Sequence, residues 1–145
     1  MISTTNGNRR VCFIVEGRPV AKARPRATRR GVVYTPKTTV DAERNIREAF
    51  LDRMEHNFKP LETPVAVSLC FYFAQPKGTS KKVFEESRGK ARPKKPDIDN
   101  LIKTVLDALN GVAWKDDNQV VRVEAEKLNG GTKGFTEVII SEVLI

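Results

Sequence analysis

The chain has 145 residues, of which 39% are hydrophobic and 30% charged, and its formal net charge is +8 at pH 7. This composition excludes fibrous and disordered classes, and the length predicts one domain, residues 1–145, with an ordinary hydrophobic core. The strong positive charge favours a polyanionic partner, and nucleic acid is the first candidate.

Several other classes are excluded by short-range patterns. The longest uncharged stretch, residues 63–76, is too short to span a bilayer. The first ten residues lack the pattern of a signal peptide, so we expect a cytoplasmic protein with no membrane partner. Cys12 and Cys70 lie in apolar runs and are predicted to be buried free thiols. With His56 as the lone histidine, a Cys/His zinc site and a Ser-His-Asp triad are excluded.

Hydrophobic periodicity predicts the elements of the first two thirds of the chain. The apolar run at 11–15 predicts a strand, and residues 17–36, rich in proline and basic residues, predict a long loop or ribbon. Helical spacing predicts a helix over 38–56, and strict alternation predicts a strand over 65–73. The polar, basic stretch 75–95 predicts a mobile loop.

The second helix is the clearest predicted element. Asp97 is a good N-cap, residues 98–109 carry an apolar stripe at helical spacing, and Asn110-Gly111 is a good helix end. Strands are predicted over 119–128 and 135–143. The order β-loop-α-β-loop-α-β-β predicts an α+β fold, a small mixed β-sheet with two main helices on one face.

Charge is distributed unevenly along the chain. Residues 1–38 contain nine Lys/Arg and one Glu, and residues 75–95 contain eight basic and two acidic residues. From Pro96 the balance reverses, because residues 96–145 contain nine acidic and five basic residues. Both basic segments are predicted loops, which carry binding function more often than regular elements do.

Acidic residues occur at both ends of the second predicted helix. Asp97 and Asp99 open it, and Asp116 and Asp117 follow the turn after it. Taken singly, these residues suit a helix cap, the helix dipole or a turn, and Lys103 suits i,i+4 pairing with aspartates. If they approach one another, their mutual repulsion favours a divalent cation between them. Basic loops around such a cation are the layout that phosphodiester hydrolysis needs. Adjacent residues of an extended segment point to opposite sides, so geometry leaves open which of Asp116 and Asp117 faces this site.

Three segments resemble the RusA-type Holliday junction resolvases. Residues 95–103 read KPDIDNLIK, and residues 114–120 read WKDDNQV. Residues 17–26, GRPVAKARPR, with YTPK at 34–37, resemble the form common in Gram-positive bacteria and their phages. The resemblance covers most of the chain, residues 10–140.

This resemblance implies a homodimeric endonuclease that cuts four-way DNA junctions symmetrically, with Mg²⁺ or Mn²⁺ as cofactor and no small-molecule substrate. The two acids of the family at the helix start fall on Asp97 and Asp99, its third acid on Asp117 and its essential lysine on Lys103. These four are the implied catalytic residues, and the three aspartates are the implied metal ligands. Lys103 would either stabilise the developing negative charge or orient the attacking water. Asp116 would contact the metal ligands without binding the metal itself.

Basic residues of both loops are expected to hold DNA phosphates without reading bases. These residues are Lys22, Arg24, Arg26, Arg29, Arg30, Lys94 and Lys95. Phe84 in the second loop is a weaker candidate for a wedge between base steps. Two alternatives stay open: a non-catalytic basic protein that binds DNA junctions, and a nuclease of the PD-(D/E)xK type. The second needs an acid where the sequence has Ala125.

Overall fold

The computed structural model describes residues 2–5 and 8–143, with side chains described for 8–143. It confirms the predicted α+β class. The elements are β1 (Ile2–Thr5), β2 (Asn8–Glu16), β3 (Arg26–Ala27), β4 (Val33–Tyr34), α1 (Lys37–Arg53), β5 (Val65–Phe73), α2 (Lys81–Ser87), α3 (Ile98–Leu109), a 3₁₀ turn (Asp117–Gln119), β6 (Val120–Asn129) and β7 (Phe135–Glu142). Across these described ranges, no helix is long and apolar enough to cross a membrane.

One mixed sheet has the strand order β1-β2-β7-β5-β6. β5 and β6 run parallel, whereas the other neighbouring strands are antiparallel. The predicted alternation of β5 is confirmed, because every second residue from Val65 to Phe73 is buried. The helices α1 and α3 pack against this face and against each other. α1 contacts β2, and α3 contacts β6. Phe13, Phe50, Leu101 and Trp114 lie in this core, each at most 3% exposed.

The two basic segments contain more structure than the sequence predicted. The first includes the β3–β4 hairpin, which agrees with a ribbon. The second was predicted to be a mobile loop, but residues 81–87 form α2, capped by the Ser80 hydroxyl, which accepts from the Val83 N–H. A serine cap before such a short helix is a weak sequence signal, and the many lysines around it favoured the prediction of a loop.

The prediction of two buried thiols is wrong for Cys12, which is exposed, and Cys70 is only half-buried. The physical reason is that helices cover one face of the sheet, so alternate residues of β2 and β5 face the uncovered side. Burial raises the pKa of the Cys70 thiol, and the nearby charges of Glu137 and Glu126 raise it further.

Candidate active site

The first half of the candidate site is the start of α3. Asp97 occupies the N-cap position with an extended backbone, yet its side chain makes no capping hydrogen bond. Asp99 lies in the first turn, and its Oδ1 accepts from the Asn100 N–H at 2.9 Å. Both aspartates are exposed. The predicted N-cap position of Asp97 is therefore confirmed, but its carboxylate makes no capping hydrogen bond and is available to a ligand.

Two basic side chains fix the segment that leads into α3. Lys127 Nζ, from β6, donates to the carbonyl oxygens of Lys94 at 2.6 Å and Pro96 at 2.9 Å. Arg92 Nη1 donates to the Lys95 carbonyl oxygen at 2.7 Å. Lys94 and Lys95 are exposed beside the acids. The backbone is thus held from the sheet side, while the two lysines face solvent.

Lys103 lies four residues after Asp99, which is one helical turn along the same face of α3. It is exposed, and it forms no ion pair within residues 8–143. The i,i+4 pairing considered for this lysine is therefore absent, and Asp107 pairs with Lys22 instead. An ammonium group next to the acidic helix start remains without a counter-charge.

The second half of the candidate site lies beyond the other end of α3. Asp117 Oδ1 accepts from Trp114 Nε1 at 2.9 Å, and Trp114 is fully buried. Gln119 Nε2 anchors the same turn by donating to the carbonyls of Leu61 and Thr63, at 2.7 and 3.0 Å. Asp117 is half-buried, whereas the neighbouring Asp116 is exposed. Of the two aspartates that geometry left open, Asp117 is the one whose carboxylate is oriented by the core.

The two halves lie before and after α3 in the chain. A helix of 12 residues is about 18 Å long, with Asp97 and Asp99 at its start and Asp117 past its end. Within residues 8–143, no group of three or more His, Cys, Asp or Glu side chains could hold a metal ion. The expectation that the three carboxylates approach one another is therefore not met among residues 8–143 of one chain, because Asp117 precedes the start of β6, whereas Lys127 near the end of β6 bonds to the carbonyl of Pro96, beside Asp97.

Lys22 does not behave as the phosphate-binding residue that was predicted. Its N–H donates to the Asn100 carbonyl at 2.9 Å, and its Nζ pairs with Glu43 and, at 3.2 Å, with Asp107. Partial burial acts to lower the pKa of this ammonium group, but the hydrogen bonds and charges of Glu43 and Asp107 raise it overall. We correct the prediction for this residue: Lys22 ties the first basic segment to α1 and α3.

Other basic residues of the first segment lie in or next to the β3–β4 hairpin. Its turn is closed by Thr28, whose N–H donates to the Val32 carbonyl at 2.8 Å and whose hydroxyl accepts from the Val32 N–H. Gly31, at φ 80°, supplies the left-handed residue that this turn needs. The exposed arginines without an ion pair in the described part of the chain are Arg24, Arg26, Arg29 and Arg30. Phe84, the candidate wedge, lies half-buried in α2.

Replacing Lys22 by methionine is expected to lower the free energy of unfolding by about 1–3 kcal/mol, because Glu43 and Asp107 lose their shared counter-charge. The pKa of Lys22 is higher in the folded protein than in the unfolded chain. This stabilisation is therefore complete at pH values below the pKa of the unfolded chain, and it is lost as the pH rises through the pKa of the folded protein. Urea unfolding of both proteins at neutral and at strongly alkaline pH measures the loss of stability and its dependence on pH. Equal stability of the two proteins at neutral pH would contradict this role.

Several residues of the site were not predicted. Trp114 and Gln119 belong to the WKDDNQV segment, so their positions were noted but their hydrogen bonds were not. Arg92 and Lys127 carried no sequence signal, since a lysine on an edge strand and an arginine in a basic loop usually face solvent.

The candidate site is an exposed acidic helix start among basic residues that form no ion pairs within residues 8–143. A family model described as endodeoxyribonuclease RusA matches residues 16–141. The chain is also 35% identical over 136 residues to YqaN of Bacillus subtilis (strain 168), an uncharacterized protein, and the match covers 90% of this chain and 95% of YqaN. The chain belongs to the RusA endodeoxyribonuclease family. Membership implies a Holliday junction resolving endonuclease and confirms the resemblance seen in the sequence.

Proposed function

We propose that this protein is a homodimeric, Mg²⁺-dependent endodeoxyribonuclease that resolves four-way DNA junctions by paired symmetric cuts in recombination and repair. Mn²⁺ substitutes for Mg²⁺, and the DNA substrate implies action in the cytoplasm. The observation that carries the proposal is the start of α3. There the Asp97 carboxylate makes no capping hydrogen bond, and exposed basic residues lie nearby. Family membership supports the same reaction class.

Asp97 and Asp99 suit a divalent cation. Mg²⁺ is commonly bound by one or two carboxylates, with water and substrate phosphate supplying its other oxygen ligands. Neither carboxylate is neutralised by an ion pair within residues 8–143. Bound there, the cation would polarise a phosphoryl oxygen and lower the pKa of an attacking water. Lys103, one turn along α3, stabilises the developing charge or orients that water.

A homodimer follows from the separation of the acids. A two-fold axis perpendicular to α3 runs two copies of this helix antiparallel, so the start of one helix approaches the end of the other. Asp97 and Asp99 of one protomer then share a site with the partner's Asp117. The dimer has two such sites related by the operation that also relates the two cuts in a four-way junction.

The free edge of β6 is the surface best suited to that dimer. Segment 90–92 pairs with the end of β6, but within the described residues 121–126 have no strand on this side. Val121 and Val123 are 59% and 36% exposed. In an antiparallel pair centred on residue 124, Arg122 lies opposite the partner's Glu126, so two favourable cross-strand pairs flank the like-charge pair of Glu124 with the partner's Glu124. This pairing also brings the start of one β6, next to Asp117, to the end of the other.

Exposed basic residues complete the proposed DNA surface. Arginine and lysine contacts with phosphates position DNA without reading its sequence. The proposed residues are Arg24, Arg26, Arg29, Arg30, Lys94 and Lys95. Asp117 takes part in the proposed metal site, because the hydrogen bond from Trp114 orients its carboxylate.

Cleavage of fixed and mobile four-way junctions, beside a linear duplex of the same sequence, tests the proposal. We expect paired symmetric nicks that need Mg²⁺ or Mn²⁺, stop with EDTA, and are absent from the duplex. Junction binding without cleavage would instead favour the non-catalytic alternative. Equal cleavage of the duplex would favour the PD-(D/E)xK alternative, against which stand the position of Asp97 and Asp99 at a helix start and Ala125 in β6.

A further inference from the structure

Two arginines cover the last residue of β5. Phe73 is 1% exposed, and its ring lies beneath the guanidinium groups of Arg92, with Cζ 4.1 Å from the ring centroid, and Arg18, with Cζ 5.3 Å away. Cation–π contacts of this kind stabilise each arginine individually. Both guanidinium groups carry a positive charge, and each lies within 5.3 Å of the centroid of the same ring.

No carboxylate neutralises this pair. Neither Arg18 nor Arg92 forms an ion pair among residues 8–143, and the protein acceptors of Arg92 are the carbonyls of Lys94 and Lys95. Partial burial lowers the pKa of Arg92, and the positive charge of Arg18 lowers it further. An anion bound by both guanidinium groups would offset the repulsion between their charges.

Both arginines belong to segments that are hydrogen-bonded to the start of α3 or to the residues just before it. Arg92 donates to the Lys95 carbonyl, two residues before Asp97. Arg18 begins the segment whose Lys22 N–H donates to the Asn100 carbonyl in the first turn of α3. The Arg92 guanidinium is therefore bonded to the segment that leads into α3, and Arg18 lies four residues before a backbone contact with the first turn of that helix.

We propose that Arg18 and Arg92 together bind one backbone phosphate of the DNA strand that lies at the start of α3, which rests on the proposed function. The planar guanidinium fork matches phosphate oxygens, and Arg18 is exposed and forms no ion pair within residues 8–143. Because Phe73 and the carbonyls of Lys94 and Lys95 hold Arg92 in place, the site is largely formed before DNA binds.

Arg18→Gln and Arg18→Lys variants test the site by junction binding in EDTA, where cleavage does not interfere. We expect Arg18→Gln to weaken binding at low salt, and to lower the slope of log affinity against log salt by about 0.9 for each phosphate that is no longer neutralised. Arg18→Lys keeps the charge and is expected to restore the slope. Arg44→Gln is the matched control, because Arg44 is exposed but already paired with Asp41.

Unchanged affinity and slope in Arg18→Gln would overturn the proposal, as would a decrease that Arg18→Lys leaves unrestored, since packing rather than charge would then explain it. Arg92→Lys is the second variant, with its thermal unfolding midpoint measured alongside, because Arg92 also holds the backbone. The assay separates the two proposals. Wild-type protein that binds junctions through Arg18 but never cleaves them overturns the proposed function and leaves the phosphate site standing.

Discussion

Asp99→Asn and Asp117→Asn proteins are each expected to lose cleavage by more than about 100-fold, and a mixture of the two is expected to recover it in part. The loss follows from removing a proposed metal ligand. This should lower activity at least as much as removing a residue that only hydrogen-bonds to a ligand, which lowers activity by about 10- to 100-fold. Recovery follows from the shared site. A dimer with one Asp99→Asn and one Asp117→Asn subunit keeps one site in which both aspartates are present. Random exchange makes about half of the dimers mixed, so about a quarter of all sites are intact.

Mixed dimers can be isolated by co-expressing the two variants with different affinity tags. Single-turnover cleavage of a fixed junction by this species is expected to give single nicks rather than paired cuts. Binding of the junction in EDTA should persist in every variant, and Asp116→Asn serves as the matched neighbour with a smaller effect. Inactive mixed dimers would mean that Asp99 and Asp117 act within one protomer. That result would remove the composite site while keeping the aspartates catalytic.

Junction affinity is expected to fall about 10³-fold or more between 50 and 200 mM salt. Each phosphate neutralised by a basic side chain releases condensed counterions, and six to ten such phosphates produce a fall of about this size. Within residues 8–143, the arginines of the hairpin segment and Lys94 and Lys95 have no ion pairs to break before they bind phosphate. Fluorescence anisotropy with a labelled junction in EDTA, repeated across a salt series, measures the slope.

A double variant, Arg29→Gln with Arg30→Gln, is expected to lower that slope by about 2 per protomer if both residues contact phosphates. Lys22→Met is the comparison, because Lys22 is already neutralised by Glu43 and Asp107 and should leave the slope nearly unchanged. An affinity that barely changes with salt would contradict the assignment of the first basic segment to DNA. A slope lowered equally by Lys22→Met would return Lys22 to the DNA surface.

Local pattern was enough to predict most elements of the fold. The alternation of β5 and the apolar stripe of α3 are encoded in consecutive residues, so their type and bounds agree with the structure within one or two residues. The register shift between β5 and β6, where Val65 pairs with Val120 and Ala66 with Arg122, was not predicted. Such a shift depends on the pairing of two strands that are far apart in sequence.

By itself, the sequence determined the α+β class, the basic character and the acidic motifs at both ends of α3, because periodicity, charge and motif spacing are local properties. Only the tertiary structure decided how each charge is used. Lys22 is neutralised by residues of α1 and α3, whereas Arg18 and Arg92 meet on Phe73 without a counter-charge. The tertiary structure also decided that Asp97, Asp99 and Asp117 do not form one cluster among residues 8–143. The environment of a charged side chain is set by long-range packing, which residue spacing alone does not specify.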